Sequence, residues 1–123
     1  MGGGRLIDRL LTDKVAVISG VESGWSYEKR SDGSVKVWAY VESGADISDA
    51  WGNMFMTSSP IVKTLPDFFS EIPTDILVTA RMDWFLPCGP KMTDLNTLKV
   101  NIIGPSSGTR TCAFEVVIKG RWK

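Results

Sequence analysis

The chain has 123 residues, 43% of them hydrophobic, with 14 Lys and Arg balanced by 14 Asp and Glu. That length suits one domain with one core, which needs no metal or disulfide staple, and the hydrophobic share excludes a disordered chain. With zero formal charge there is no basic excess to displace counterions from a phosphate backbone, so nucleic acid is not an expected partner.

The N-terminus starts with Gly2-Gly3-Gly4, a flexible leader. In "RLIDRLLTDKV", Leu6, Ile7, Leu10 and Leu11 recur at i, i+1, i+4 and i+5. This predicts one apolar stripe on a short helix. A helix of two turns does not hold alone in water, so it packs on its own domain or on copies of itself. Residues 1–13 are therefore read as leader and oligomerisation helix, and 14–123 as the body of the protein.

After Asp13 the pattern changes to strands. "VAVISG" is a β-branched run, and "WSYEKR" and "VKVWAYVE" flank "SDGS", a hairpin signal. "AWGNMFMTS" predicts a strand ended by Ser58-Ser59-Pro60. "PIVKTLPDFFSEIP", with three prolines, predicts mostly loop, anchored by Phe68 and Phe69. "TDILVTARMDWFL" predicts a strand stopped by "PCGP", and "TLKVNIIG" another before the loop "PSSGT". In "TCAFEVVIKGRWK", Cys112, Phe114, Val116 and Ile118 alternate with Ala113, Glu115, Val117 and Lys119. Seven or eight short strands with regular turns and no βαβ alternation predict an all-β sandwich or barrel, of which an antiparallel, jelly-roll-like β-sandwich is the expected form.

Side-chain parity decides where the hairpin sends its aromatics. A two-residue turn at Asp32-Gly33 pairs Tyr27 with Trp38 and Trp25 with Tyr40, which puts all four aromatics on one face. A three-residue loop shifts the pairing by one and mixes the sets. The simpler turn makes Trp25, Tyr27, Trp38 and Tyr40 a structural aromatic core. The other fates of such a slab are a stacking platform for sugar rings and a subunit interface.

The chain has no His, which excludes Ser-His-Asp and Cys-His catalysis. The two cysteines, Cys88 and Cys112, lack metal-ligand spacing. A disulfide between them and two buried free thiols both stay open, the second being the commoner outcome in a reducing cytoplasm, and no metal or cofactor is expected. No phosphate-binding glycine motif occurs. Asp46, Asp49 and Asn53 do not have the spacing of a calcium loop. No apolar run approaches the ~20 residues of a membrane span, so membrane insertion is not expected, and no signal peptide is visible. A pair of carboxylates, Asp83 with Asp75 or Asp94, leaves glycoside hydrolysis as an alternative. The most suggestive stretch is "ARMDWFLPCG". Arg81, Asp83, Trp84 and Phe85 combine aromatic stacking surface with both signs of charge, the groups a sugar site uses. The competing reading has Trp84 or Phe85 capping the core.

The run Gly24, Trp25, Ser26, Tyr27, Lys29, the turn Ser31-Asp32-Gly33, then Trp38, together with the ending Gly120-Arg121-Trp122-Lys123, resembles a family of C-terminal domains on tail-fibre and minor structural proteins of phages and prophages of Gram-positive bacteria. The likeness spans most of the chain from about Val15, and its ends carry the specific motifs. This chain departs at Arg30, where the family has Trp, at Val37, where Cys is common, and at Ala39, where Gly is common. The resemblance implies a β-sandwich tip domain on a homotrimeric fibre, made in the host cytoplasm and exposed on the virion. It implies attachment to a host cell-surface glycan or wall polymer, with no catalytic residues and no cofactor. The rival functions are a structural cap that trimerises the fibre and a carboxylate-based glycosidase.

Overall fold

The computed structural model describes residues 17–123. The helix expected to carry Leu6, Ile7, Leu10 and Leu11 lies outside the described residues. The rest is all-β: β1 (Val17–Glu22), β2 (Trp25–Arg30), β3 (Ser34–Trp51), β4 (Met54–Thr57), β5 (Ile61–Thr64), β6 (Asp75–Ala80), β7 (Leu86–Met92), β8 (Thr97–Gly104) and β9 (Gly108–Arg121). Every pairing is antiparallel.

β3 is the hub of the sheet. Its 18 residues are long enough to serve two regions at once. One edge takes β2 near its start and β4 near its end, while the other edge pairs with β9 from Ser34 to Ile47. β6 extends the sheet beyond β9. β8 receives β4 and β5 on one edge and β7 on the other. The nine strands therefore form one hydrogen-bonded sheet, curled around one core, where two separate sheets and seven or eight strands were expected.

The core follows the period-two patterns. β9 contributes Cys112, Phe114, Val116 and Ile118, as its alternation predicts; β8 contributes Leu98, Val100 and Ile102; β3 contributes Val35, Val37, Val41, Ala45 and Ile47. Full burial of a side chain of the Val, Leu, Ile or Phe class contributes about 1.5–3 kcal/mol. The loop after β5 closes the end of this core with Leu65 and Phe69. The Phe69 ring lies so close to Gly120 that a Cβ there would sit 2.8 Å from it.

The hairpin register differs from the expected one. Tyr27 faces Val37 and Ser26 faces Trp38, so the loop holds three residues, 31–33. Gly33 takes φ +96°, a conformation open to glycine, and Asp32 accepts hydrogen bonds from the Ser34 amide at 2.8 Å and its hydroxyl at 2.7 Å. The four aromatics consequently divide. Trp25, 3% exposed, is in the core, with its indole N–H donating to the Thr64 carbonyl at 3.0 Å. Tyr27 packs against the core and meets Phe68 edge-on at 4.6 Å. Trp38 and Tyr40 point to the outer face, where Tyr40 is 55% exposed; their assignment to the core is corrected.

Two other boundaries moved. The run around "AWGN" is a tight turn, with Trp51 opposite Met54 and Gly52 at φ +63°. The strand expected to reach Leu86 ends at Ala80, and the "PCGP" stretch lies inside β7 as an irregularity between Cys88 and Lys91. Cys88 and Cys112 are free thiols, and burial pushes both upward in pKa.

Candidate functional site

The five strands β1, β2, β3, β9 and β6 share one outer face, and their register sets its chemistry in rows. One row reads Val21, Ser26, Trp38, Val117, Leu77 across the sheet. Val21 is 72% and Leu77 60% exposed, so this row presents apolar surface to solvent. The row on one side reads Ser19, Glu28, Lys36, Lys119, Asp75. On the other side Tyr40, Glu115 and Thr79 lie abreast. An aromatic and aliphatic stripe one residue wide is thus bordered by ionic groups on both flanks.

Those ionic groups hold the aromatics in place. The Lys36 ammonium lies 4.9 Å from the Trp38 ring centroid, an attraction of cation to ring face worth about 0.5–1 kcal/mol at an exposed position. The Tyr40 hydroxyl donates to Glu42 at 3.1 Å, which raises the Tyr40 pKa. Arg81 donates to Glu115 at 2.8 Å, and this bond is the main cause of its raised pKa. Shallow depressions open on the face. One of about 240 Å³ is lined by Trp38, Tyr40, Glu115 and Val117. Another of about 320 Å³ is lined by Glu28, Arg30, Ser34, Lys36 and Lys119.

The structure separates the four residues singled out in "ARMDWFLPCG". Arg81 joins the outer face through Glu115. Phe85 turns inward, packs against the core and covers Gly104, where a Cβ would collide with its ring. Asp83 is exposed. Trp84 is 84% exposed and sits at φ +68°, in the left-handed region that bulky residues rarely enter. Strain of this kind costs on the order of 1–3 kcal/mol and gathers at functional sites. Trp84 is therefore a solvent-facing indole held on a strained loop between β6 and β7.

Asp75 and Asp83 lie at opposite ends of the segment from β6 to the following loop, and Asp94 belongs to the turn before β8, where it caps the Asn96 amide at 3.0 Å. Among the described residues no group of three His, Cys, Asp or Glu side chains is placed to hold a metal ion. No helix among them is long and apolar enough to cross a membrane.

Sequence reasoning missed Trp38 and Tyr40 as surface residues, together with Leu77, Glu115 and Val117 beside them. Parity on β9 already put Glu115 and Val117 outward. A three-residue hairpin loop would have sent Trp38 and Tyr40 to the same side.

No protein-family model matches this chain, and no curated protein matches it. Among solved structures, the N-truncated R2-type pyocin tail fiber matches with a TM-score of 0.60 at 12% sequence identity. The match covers 98% of this chain and 44% of the fiber chain, so the chain spans less than half the length of that protein. At this identity the likeness is one of fold: the curled all-β architecture described above occurs within a tail fiber.

Proposed function

We propose that the chain is the host-attachment tip domain of a phage or prophage tail fibre, carried on the virion as a homotrimer, that binds a cell-surface saccharide without cleaving it. The observation that carries this reading is the fold shared with a tail fiber along almost the whole chain. The motif runs 24–33 and 120–123, which resemble tip domains of phages of Gram-positive bacteria, support the same reading. Saccharide binding draws support from the strained, exposed Trp84 and from Trp38 and Tyr40 among charged hydrogen-bonding groups. Pre-placed aromatics bind sugar rings without an ordering cost at the moment of contact.

A second reading, the structural fibre cap, is favoured by β1. This edge strand exposes Val17, Ile18 and Val21 together, apolar surface that a second copy of the chain can cover. A fluorescent fusion incubated with a panel of bacterial strains separates the two. Strain-selective labelling by the parent supports attachment, and its loss in a Trp84→Ala variant with the parent's fold and native mass assigns Trp84 to the contact. A trimeric mass with no labelling of any strain leaves the cap.

A further inference from the structure

We propose that the outer face is a two-part site for an anionic saccharide, in which a sugar ring lies on Trp38 and Tyr40 and an acidic group on the sugar is held by Lys36 and Lys119. This inference rests on the attachment reading and names the class of ligand that reading leaves open.

The geometry starts from β3 and β9. Lys36 faces Lys119 directly across the two strands, and Trp38 faces Val117 one row further along. The depression lined by the lysines, with Arg30, Ser34 and the acidic Glu28, and the depression lined by Trp38 and Tyr40 therefore occupy successive rows of the same strand pair. A ligand longer than one sugar ring spans both.

Like charges placed directly opposite destabilise a sheet, and neither lysine forms an ion pair with a described carboxylate. The acid beside Lys36 across the strands, Glu28, lies 3.7 Å from Arg30 instead, and Asp75, which faces Lys119 from β6, forms no ion pair with it. Lys36 rests over the Trp38 ring at 4.9 Å. An anion seated between the two ammonium groups removes their repulsion and gains charge-assisted hydrogen bonds from both. The neighbouring stacking surface then recognises the uncharged part of the same molecule.

The alternatives fit less well. Nucleic acid needs a broad basic track, and here the flank beyond the aromatics is acidic, with Glu115 and Glu42 beside Tyr40. A protein partner needs an interface centre depleted of charge, and here the apolar stripe is one residue wide with ions on both flanks.

The test uses the full chain on an array of neutral oligosaccharides beside their phosphorylated, sulfated and carboxylated forms. Binding is expected on anionic spots, weakening severalfold between about 50 and about 500 mM salt because exposed charges are screened. Lys36→Ser and Lys119→Ser should each weaken it by about tenfold. Trp38→Ala should remove it while circular dichroism stays that of the parent. The three anionic forms distinguish which acid is read. Equal binding to neutral and anionic forms, lysine variants that bind as the parent does, or no bound spot overturns the inference. So does a Trp38→Ala variant of lower native mass than the parent, which assigns the face to a second copy. Cell labelling that persists when the anionic arms fail sinks this inference and leaves attachment standing, whereas loss of cell labelling by the parent sinks both.

Discussion

The indole N–H of Trp122 donates to the Arg30 carbonyl at 2.7 Å, tying the last turn of chain to the first hairpin. The Trp122 amide also donates to the Gly33 carbonyl at 2.9 Å, and Arg121 donates to the Asp32 carbonyl at 2.9 Å. The two sequence runs that carry the phage-domain resemblance are thus the two halves of one clamp. Gly33 is favoured by its positive φ, and a Cβ there would also displace the Arg121 guanidinium from its place in the clamp.

Removing parts of this clamp should cost stability in steps. Trp122→Phe keeps a ring under the Lys29 and Lys123 ammonium groups, 5.6 and 4.9 Å away, but loses the donor, and should cost about 1 kcal/mol. Gly33→Ala should cost about 1–3 kcal/mol. Urea denaturation of both variants checks this; a Gly33→Ala protein as stable as its parent would show that the loop relaxes away from the clamp.

The same loop makes stability depend on acid pH. The Ser34 hydroxyl, then the Ser34 amide, hold the Asp32 pKa below the ordinary carboxylate value. The Asn96 amide does the same for Asp94. A carboxylate with a depressed folded-state pKa contributes stability that is present above its unfolded value, about 4, and is lost as pH falls through the folded value. The urea midpoint of the parent should therefore fall on acidification below about pH 4. Asp32→Asn should fall less steeply over that window. Parallel curves for parent and variant would show that Asp32 ionisation is not linked to folding.

The hairpin register predicts opposite outcomes for two tryptophans of one hairpin. Trp25→Ala empties a core position and should cost about 3–5 kcal/mol. Trp38→Ala changes a half-buried outer-face residue and should cost about 1 kcal/mol. Thermal melts of the two variants read the difference directly. A Trp38→Ala protein that fails to fold would restore the all-aromatic core and with it the two-residue turn.

That contrast marks how far sequence reasoning reaches. The all-β class was legible because alternation in β8 and β9 is uninterrupted, and each inward residue named for β9 is fully buried. The hairpin itself was legible from Asp32-Gly33, but its register was not, because the three-residue loop is held by contacts with Arg121 and Trp122, 89 and 92 positions away. β3 runs on from the "VKVWAYVE" strand to Trp51, with Gly44 opposite Thr111 inside the ladder, because pairing with β9 extends it where the sequence pattern marks no strand. Of the candidate site, Trp84 was singled out by its charged neighbours. Its separation from Phe85 was not, because adjacent residues share composition while only the backbone conformation at Trp84 sends one ring to solvent and the other to Gly104.

The backbone at Trp84 supplies the last prediction. A bulky residue at φ +68° is held in a conformation that Asn tolerates far better. The indole is 84% exposed, so replacing it forfeits little packing. Trp84→Asn should therefore raise stability, by on the order of 1 kcal/mol, while reducing cell attachment. A gain in stability coupled to a loss of binding is the signature of a residue retained for contact with a partner. Paired urea titration and cell-labelling assays on parent and Trp84→Asn measure both quantities. If the variant is less stable, the ring supports the loop and its exposure is incidental. If it is more stable and labels cells as the parent does, the strain serves no attachment role, and the outer face around Trp38 and Tyr40 becomes the stronger location for the ligand.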